Sequence, residues 1–114
     1  MPFLKIQTNR AATQDEQRKL LRSASARVAA LLGKPERYVM VSLEYNSAML
    51  FAGSDAPLAY LELKSIGLPA NRTDELSEAL CALIQQELGI DSDRVYIEFA
   101  NAVGQMWGWN GETF

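Results

Sequence analysis

The sequence LGKPERYV at residues 32–39 has a counterpart in LGIDSDRV at residues 88–95. In both segments a glycine follows an apolar stretch with helical spacing, and a valine begins a stretch typical of a β-strand. Glycine ends helices because it adopts the left-handed backbone conformation without steric cost. The correspondence predicts a strand–helix–strand unit that occurs twice in a single domain, residues 1–114, with pseudo-repeats at about residues 1–55 and 56–114.

The first half of the chain contains the signals for one such unit. Residues 3–8 are predicted to form a strand. Thr13 and Glu16 have the spacing of a capping box, in which each side chain binds the other residue's backbone N–H, and they predict the start of a helix. The apolar face of that helix comprises Leu20, Leu21, Ala24, Val28, Leu31 and Leu32. A second strand is predicted over Tyr38–Tyr45, and a short one over Ala48–Ala52.

The second half repeats this order, with strands predicted over residues 58–66 and 95–100 and a helix over residues 73–88. The apolar face of that helix comprises Leu76, Leu80, Leu83, Ile84 and Leu88. Because crossovers between parallel strands are right-handed, both helices are expected on one face of a four-stranded mixed sheet, a duplicated βαβ in the α+β class. The other sheet face is expected to be bare and largely apolar, which predicts oligomerisation.

The composition limits the classes of function. The net charge of −3 argues against a nucleic-acid partner or an anionic membrane surface. The chain has no histidine, the commonest metal ligand and general base, and its single cysteine, Cys81, cannot form an internal disulfide. We therefore expect no metal site. No apolar stretch resembles a signal peptide or reaches the roughly 20 residues of a membrane span, so we expect a cytoplasmic protein.

Pro2 is the candidate catalytic residue, because proline is confined to the first position or the edge of a strand. If Met1 is removed, Pro2 becomes a secondary amine at the end of the first strand. Burial in an apolar pocket lowers the pKa of an amine, and a base poised near neutral pH suits proton transfer. The alternative is that Pro2 has no role beyond its position. If Met1 is retained, the Pro2 nitrogen is an amide with no lone pair available as a base.

Eight short motifs are distributed over the whole chain. They are Met1-Pro2-Phe3, Thr8-Asn9, LGKP at residues 32–35, SIG at 65–67, Asn71-Arg72, DRVYI at 93–97, GWN at 108–110 and Thr113-Phe114. Together they resemble the macrophage migration inhibitory factor and D-dopachrome tautomerase family of the tautomerase superfamily. The resemblance implies a homotrimer with sites at the subunit interfaces. It also implies an isomerase, a phenylpyruvate tautomerase-like enzyme that interconverts ketone and enol forms of aromatic 2-keto acids without a cofactor.

The resemblance also implies the site residues. Pro2 corresponds to the catalytic proline, a general acid and base, and Lys34 to the lysine that binds the substrate carboxylate. Lys34 has a simpler interpretation as a cation favoured at a helix C-terminus. The other implied substrate-binding residues are Ser65 and Ile66 at a strand end, Tyr96 from a neighbouring subunit, Glu98, Trp107, Trp109 and Phe114. For the last two, ordinary packing at a subunit interface is the alternative.

Two of these positions depart from the family pattern. Glu98 occupies a position where the animal protein of this family has asparagine, and Trp107 occupies a position where that protein has valine. A carboxylate beside the site would repel acidic substrates or raise the pKa of the amine, and a tryptophan would narrow the pocket or stack on an aryl ring. Leu58 and Leu61 replace a Cys-x-x-Cys pair, so thiol oxidoreductase chemistry is not expected. Cys81 is interpreted as a packed thiol.

Two other functions are alternatives to a tautomerase. The first is a cytokine-like ligand that binds a protein receptor and has little or vestigial catalytic activity. The second is a pocket that Trp107 and Glu98 reshape for a different proton-transfer or hydrolytic reaction. The combination of Pro2, Lys34 and Tyr96 favours the enzyme, because a pure binding protein has no physical need for a free proline amine.

Overall fold

The computed structural model describes residues 1–114. In chain order its elements are β1 (Phe3–Thr8), α1 (Gln14–Leu32), β2 (Met40–Tyr45), β3 (Ala59–Ile66), α2 (Thr73–Leu88), β4 (Val95–Ala102), β5 (Gly108–Trp109) and β6 (Glu112–Thr113). Short 3₁₀ turns precede β2, α2, β4 and β5. Neither helix has the length and apolar character needed to cross a membrane.

The four long strands form one mixed sheet in the order β2-β1-β3-β4, and β5 and β6 form a separate small hairpin. β1 pairs with β2 and β3 pairs with β4 in parallel, while the two central strands, β1 and β3, pair antiparallel. Each half of the chain is therefore one βαβ unit, and the two units join edge to edge. The predicted α+β fold, a duplicated βαβ with two helices on one sheet face, is confirmed.

The capping signals of α1 act as the sequence predicts. The Thr13 Oγ1 accepts a hydrogen bond from the Glu16 N–H at 3.1 Å, and the Glu16 carboxylate accepts one from the Thr13 N–H at 2.9 Å. The Arg10 guanidinium donates to the same carboxylate at 3.0 Å, and these hydrogen bonds, that from Arg10 foremost, lower the pKa of Glu16 to about 2. At the other end Gly33 has a φ of 63°, the left-handed conformation that ends the helix.

The core lies between the sheet and the two helices. Alternate residues of β1 and β3 point into it, and at its edge the Thr8 hydroxyl donates to the Leu58 carbonyl at 2.7 Å. All five residues of the predicted apolar face of α2 are buried. In α1 the buried residues are Leu20, Ala24 and Val28, and the rest of the predicted face is partly exposed. Strand alternation and helical spacing therefore converge on one apolar layer.

The ends of two strands differ from the prediction. β2 begins at Met40 rather than at Tyr38, because residues 36–38 form a 3₁₀ turn in which the Tyr38 N–H donates to the Pro35 carbonyl at 3.1 Å. β4 continues beyond residue 100 to Ala102, because it stays paired with the whole of β3. Both differences arise at the end of the sheet where the chain begins.

Residues 48–52 do not form the predicted strand. Only an isolated bridge joins Phe51 to Ser54, with both N–H donors 3.0 Å from their carbonyl acceptors. Ala52 and Gly53 between them have φ values of 54° and 73°, left-handed conformations that reverse the chain there. The segment is a tight turn, and no strand of the same chain lies beside it to complete a ladder.

The sheet face away from the helices is mixed, with polar side chains in its middle and Phe3, Met40, Ile66 and Tyr96 toward its ends, so the prediction of a largely apolar bare face is wrong. Its side chains include Lys5, Gln7, Ser42, Glu44, Tyr60, Glu62, Lys64 and Glu98. The Tyr60 hydroxyl lies 3.2 Å from the Glu62 carboxylate and 3.4 Å from that of Glu98. Burial, and then these two carboxylates, raise the pKa of Tyr60. Successive side chains of a strand point to opposite faces of the sheet. The polar residues that alternate with core residues therefore all lie on the face away from the helices.

Candidate active site

A cavity of about 290 Å³ lies at the beginning of β1. Three segments line it: residues 1–3, residues 37–40, and residues 107–109 together with Phe114. The parallel pairing of β1 with β2 brings the first two segments together, and the third enters from the β5–β6 hairpin. The lining is mostly apolar or aromatic, and Arg37 carries its only charged side chain. This is the kind of concave apolar site that small organic ligands occupy.

Pro2 is buried in the wall of this cavity. Its carbonyl accepts a hydrogen bond from the Met40 N–H at 2.9 Å, so β2 holds its backbone. Proline suits this position just before β1, because no ladder hydrogen bond is required from its nitrogen. Met1 precedes it, and the Met1 amine donates to the Tyr38 carbonyl at 2.8 Å. The chain therefore places an amine at the cavity.

The surroundings of that amine favour its uncharged form. Burial, and then the charge of Lys34, lower the pKa of the Met1 amine below its ordinary value. Lys34 does not line the cavity, but it is near enough for its ammonium charge to act on the amine. The C-terminal cap of α1 fixes its backbone, because the Lys34 N–H donates to the Ala29 carbonyl at 3.0 Å. An amine at this position loses its proton at a lower pH than an exposed one.

Three aromatic rings form one wall of the cavity. The Tyr38 ring meets the rings of Trp109 and Phe114 edge to face, with centroid distances of 5.6 and 5.7 Å. Trp109 and Phe114 are stacked at 5.8 Å. The Phe114 N–H donates to the Trp107 carbonyl at 3.1 Å, which ties Phe114 to the hairpin segment. Edge-to-face and stacked pairs are the arrangements that aromatic rings favour, so this wall is a packed unit.

The cavity brings together four site residues expected from the sequence: Pro2, Trp107, Trp109 and Phe114. Ser65 is fully buried at the end of β3 and lies beside Pro2 in the sheet, since Phe3 pairs with Lys64 one position earlier. Neither Ser65 nor Ile66 lines the cavity within a single chain. Their contribution to a site would come from the strand end that borders Pro2.

Tyr96 and Glu98 lie away from the cavity of their own chain. Asn101 pairs with Ser65 near the level of Pro2, and Tyr96 is about 17 Å from it along β4. Glu98 is exposed on the sheet face away from the helices. The Tyr96 ring packs against Phe51 at a centroid distance of 4.5 Å and lines a second cavity of about 510 Å³, formed by residues 49–52, 58–60 and 96. Within one chain, Tyr96 is therefore a residue of the second cavity.

Sequence reasoning missed Arg37 and Tyr38, which both line the Pro2 cavity. A signal was present, because they follow Lys34 in the same short connection between α1 and β2. Any site that includes the end of α1 and the beginning of β1 also includes this connection, since β1 and β2 are parallel neighbours. Phe3 and Met40 line the cavity for the same reason.

The arrangement suits proton transfer on a small aromatic acid. The rings supply apolar surface, Lys34 and Arg37 supply positive charge, and the amine is a base of lowered pKa. Neither Lys34 nor Arg37 forms an ion pair within the chain, so both cations are free to meet an anion. No group of three or more histidine, cysteine, aspartate or glutamate side chains is placed to hold a metal ion.

Comparisons with known proteins show which proteins this chain is similar to. The family model described as macrophage migration inhibitory factor (MIF) matches residues 1–114. A macrophage migration inhibitory factor homolog from Trichinella spiralis is 39% identical over 115 residues, covering 100% of each chain, and one from Brugia malayi is 38% identical, covering 100% of this chain and 99% of its own. The crystal structure of a homologue from Prochlorococcus marinus superposes with a TM-score of 0.92 at 47% identity, covering 98% of both chains.

Proposed function

The chain belongs to the macrophage migration inhibitory factor family, and from this membership we propose that it is a ketone–enol tautomerase of phenylpyruvate-like aromatic 2-keto acids. The observation that carries the proposal is the position of the amino terminus. An amine of lowered pKa lies in an apolar, aromatic cavity, beside a lysine whose charge acts on it. A general base with a pKa near neutrality is what reversible enolisation requires.

In the proposed reaction, removal of Met1 turns the Pro2 nitrogen into a secondary amine with a lone pair. That nitrogen takes a proton from the carbon next to the keto group of the substrate. The electron pair of the broken C–H bond forms the C=C bond of the enol, and the protonated Pro2 delivers the proton to the carbonyl oxygen, so that no proton is gained or lost. In the reverse direction the protonated Pro2 returns the proton to carbon, so Pro2 acts as both base and acid.

The surrounding residues position the substrate. Lys34 binds the carboxylate, and we expect its charge to lower the pKa of the Pro2 amine as it lowers that of the Met1 amine, so that one residue serves binding and base strength. The aryl ring of the substrate packs among Trp107, Trp109 and Phe114. Placement and electrostatics, rather than a cofactor, account for the rate.

The proposed assembly is a homotrimer with one site at each subunit interface. Tyr96 supports it, because this residue is too far along β4 to reach the Pro2 cavity of its own chain yet is 66% exposed. The second cavity supports it too, because its rim carries Leu50, which is 72% exposed and lies in an apolar patch that a second copy of the chain would cover. We propose that a neighbouring subunit brings Tyr96 to each Pro2.

The test is an absorbance assay of enol–keto interconversion of phenylpyruvate, with intact mass spectrometry to establish that Met1 is absent. Pro2→Gly, which keeps a primary amine but loses the rigid secondary one, is expected to lower kcat/KM about a hundredfold or more, the usual contribution of a general base. Pro57→Gly is the matched control, since Pro57 is exposed and precedes the first strand of the second repeat.

Equal rates for the wild type and Pro2→Gly, with Met1 shown to be absent, would contradict the mechanism. No turnover by the wild type would contradict the proposed activity and favour the protein-binding alternative.

A further inference from the structure

Arg37 is a second unpaired cation at the candidate site, in a position different from that of Lys34. Arg37 lines the cavity, whereas Lys34 acts on the amine from outside the lining. Arg37 forms no ion pair, although Glu36 precedes it directly in the chain. Within the chain the guanidinium contacts only the face of the Tyr38 ring, and no carboxylate neutralises its charge. It is available to a ligand.

Arg37 is exposed at the edge of the cavity, and its guanidinium lies over the Tyr38 ring. Its central carbon lies 4.7 Å from the centroid of the Tyr38 ring. The Tyr38 ring is in turn packed edge to face against Trp109 and Phe114. The attraction of the cation to the ring face restricts the side chain, and the planar fork of N–H donors that it carries matches the two oxygens of a carboxylate. Less side-chain freedom is therefore lost when an anion binds.

We propose that Arg37 binds a second anionic group on the substrate, so that the site prefers aromatic 2-keto acids with an acidic substituent on the ring. This inference rests on the proposed function, in which Lys34 holds the carboxylate of the keto acid beside Pro2. The aryl ring then lies along the wall of Tyr38, Trp109 and Phe114, and a carboxylate at the far side of the ring meets Arg37. Two cations at two places match two anionic groups on one ligand.

A substrate pair tests this preference: phenylpyruvate and 4-carboxyphenylpyruvate, assayed with the wild type, Arg37→Gln and Arg37→Lys. Arg37→Gln is expected to lower the ratio of kcat/KM for the carboxylated substrate over phenylpyruvate about tenfold, the usual loss for one charge-assisted hydrogen-bonded pair. Arg37→Lys keeps the charge but loses the fork, so it should retain part of the ratio. Arg18→Gln, an exposed charge change on α1, is the matched control and should leave the ratio unchanged.

An unchanged ratio in Arg37→Gln would overturn the proposal. So would an equal loss for both substrates, because that result would mean that Arg37 only supports the aromatic wall or shares the keto-acid carboxylate with Lys34.

A binding measurement separates this inference from the proposed function. The ligands are 3-phenylpropionate and 3-(4-carboxyphenyl)propionate, which cannot enolise as a keto acid does, and the signal is the fluorescence of Trp107 and Trp109 in the cavity wall. The inference predicts tighter binding of the dicarboxylate, with the advantage reduced about tenfold in Arg37→Gln. That result without turnover would refute only the tautomerase activity. The absence of any advantage would overturn the inference even if turnover is found.

Discussion

At the scale of single residues, the candidate chemistry depends on one amine. Burial and the charge of Lys34 lower the pKa of the Met1 amine, and we expect the same two causes to act on the Pro2 nitrogen once Met1 is lost. The base is active when it is unprotonated, so activity should appear as the pH rises through this pKa. A lower pKa extends activity to lower pH. Removing the charge of Lys34 should therefore raise the pKa and move the rise in activity to higher pH.

The sequence indicated part of the candidate site at this scale. Pro2, Trp107, Trp109 and Phe114 meet at one cavity, and sequence similarity was enough to select them. Sequence similarity did not select Arg37. Whether its side chain lines the cavity depends on the backbone conformation of the 3₁₀ turn at residues 36–38. The structure shows where the side chain lies, with the guanidinium over the Tyr38 ring. The hydrophobic periodicity that predicts helices and strands does not predict the backbone conformation of a three-residue turn.

At the scale of secondary-structure elements, the sequence predicts helix ends well, because they depend on residues close together in the chain. The capping box of Thr13 and Glu16 sets the start of α1, and the left-handed Gly33 and Gly89 set the C-terminal ends of both helices. The strand proposed at residues 48–52 was wrong because a strand needs a partner, and the chain supplies none there. Its apolar residues instead line the second cavity, with the turn held by Arg94, whose guanidinium donates to the Phe51 carbonyl at 2.7 Å.

The backbone of Phe114 lies very close to that of Gly104, and this contact leaves no room for a side chain at residue 104. A Cβ atom at this position would lie 2.5 Å from the Phe114 carbonyl oxygen, and Gly104 is not in the left-handed region, so only this contact excludes a side chain. Gly104→Ala should push Phe114 away from Trp109, raise KM for the aromatic substrate several-fold and cost about 1–3 kcal/mol of unfolding free energy. Steady-state kinetics and denaturant titration measure the two effects.

Gln105→Ala is the control for this change, because Gln105 is the exposed neighbour and the substitution adds no atoms there. If KM and stability in Gly104→Ala both equal those of the wild type, the contact with Phe114 does not hold the aromatic wall in place.

At the scale of the whole molecule, an assembly is still expected, but no longer because of the bare sheet face. The sequence suggested an apolar sheet face in need of cover, but that face carries lysine, glutamate and tyrosine side chains. The crossover rule places both helices on one face and so leaves the other bare, but it does not determine which side chains point to that bare face. Exposed apolar side chains lie in several places, and Leu50 and Tyr96 are the two at the second cavity. An interface there would be lateral, between edges of neighbouring chains.

This location predicts the effect of one charge on assembly. The wild type should sediment at about three times the 12.7 kDa mass of the chain, as the proposed trimer requires. Leu50→Asp buries a carboxylate in the proposed interface, so it should dissociate the assembly and lower activity together with the mass. Ala26→Asp, which adds the same charge to an exposed apolar position on α1, should change neither. A wild type that sediments as a monomer, or a trimer unaffected by Leu50→Asp, contradicts this interface.

The most direct measurement of the central claim is a ¹⁵N NMR titration of Pro2 in protein labelled with ¹⁵N-proline, beside a peptide of residues 2–6 as reference. We predict that the Pro2 nitrogen titrates as a secondary amine with a pKa below that of the peptide, and that Lys34→Gln moves the pKa upward toward the peptide value. A Pro2 nitrogen that does not titrate at all, or one that titrates like the peptide and ignores Lys34→Gln, would contradict the account.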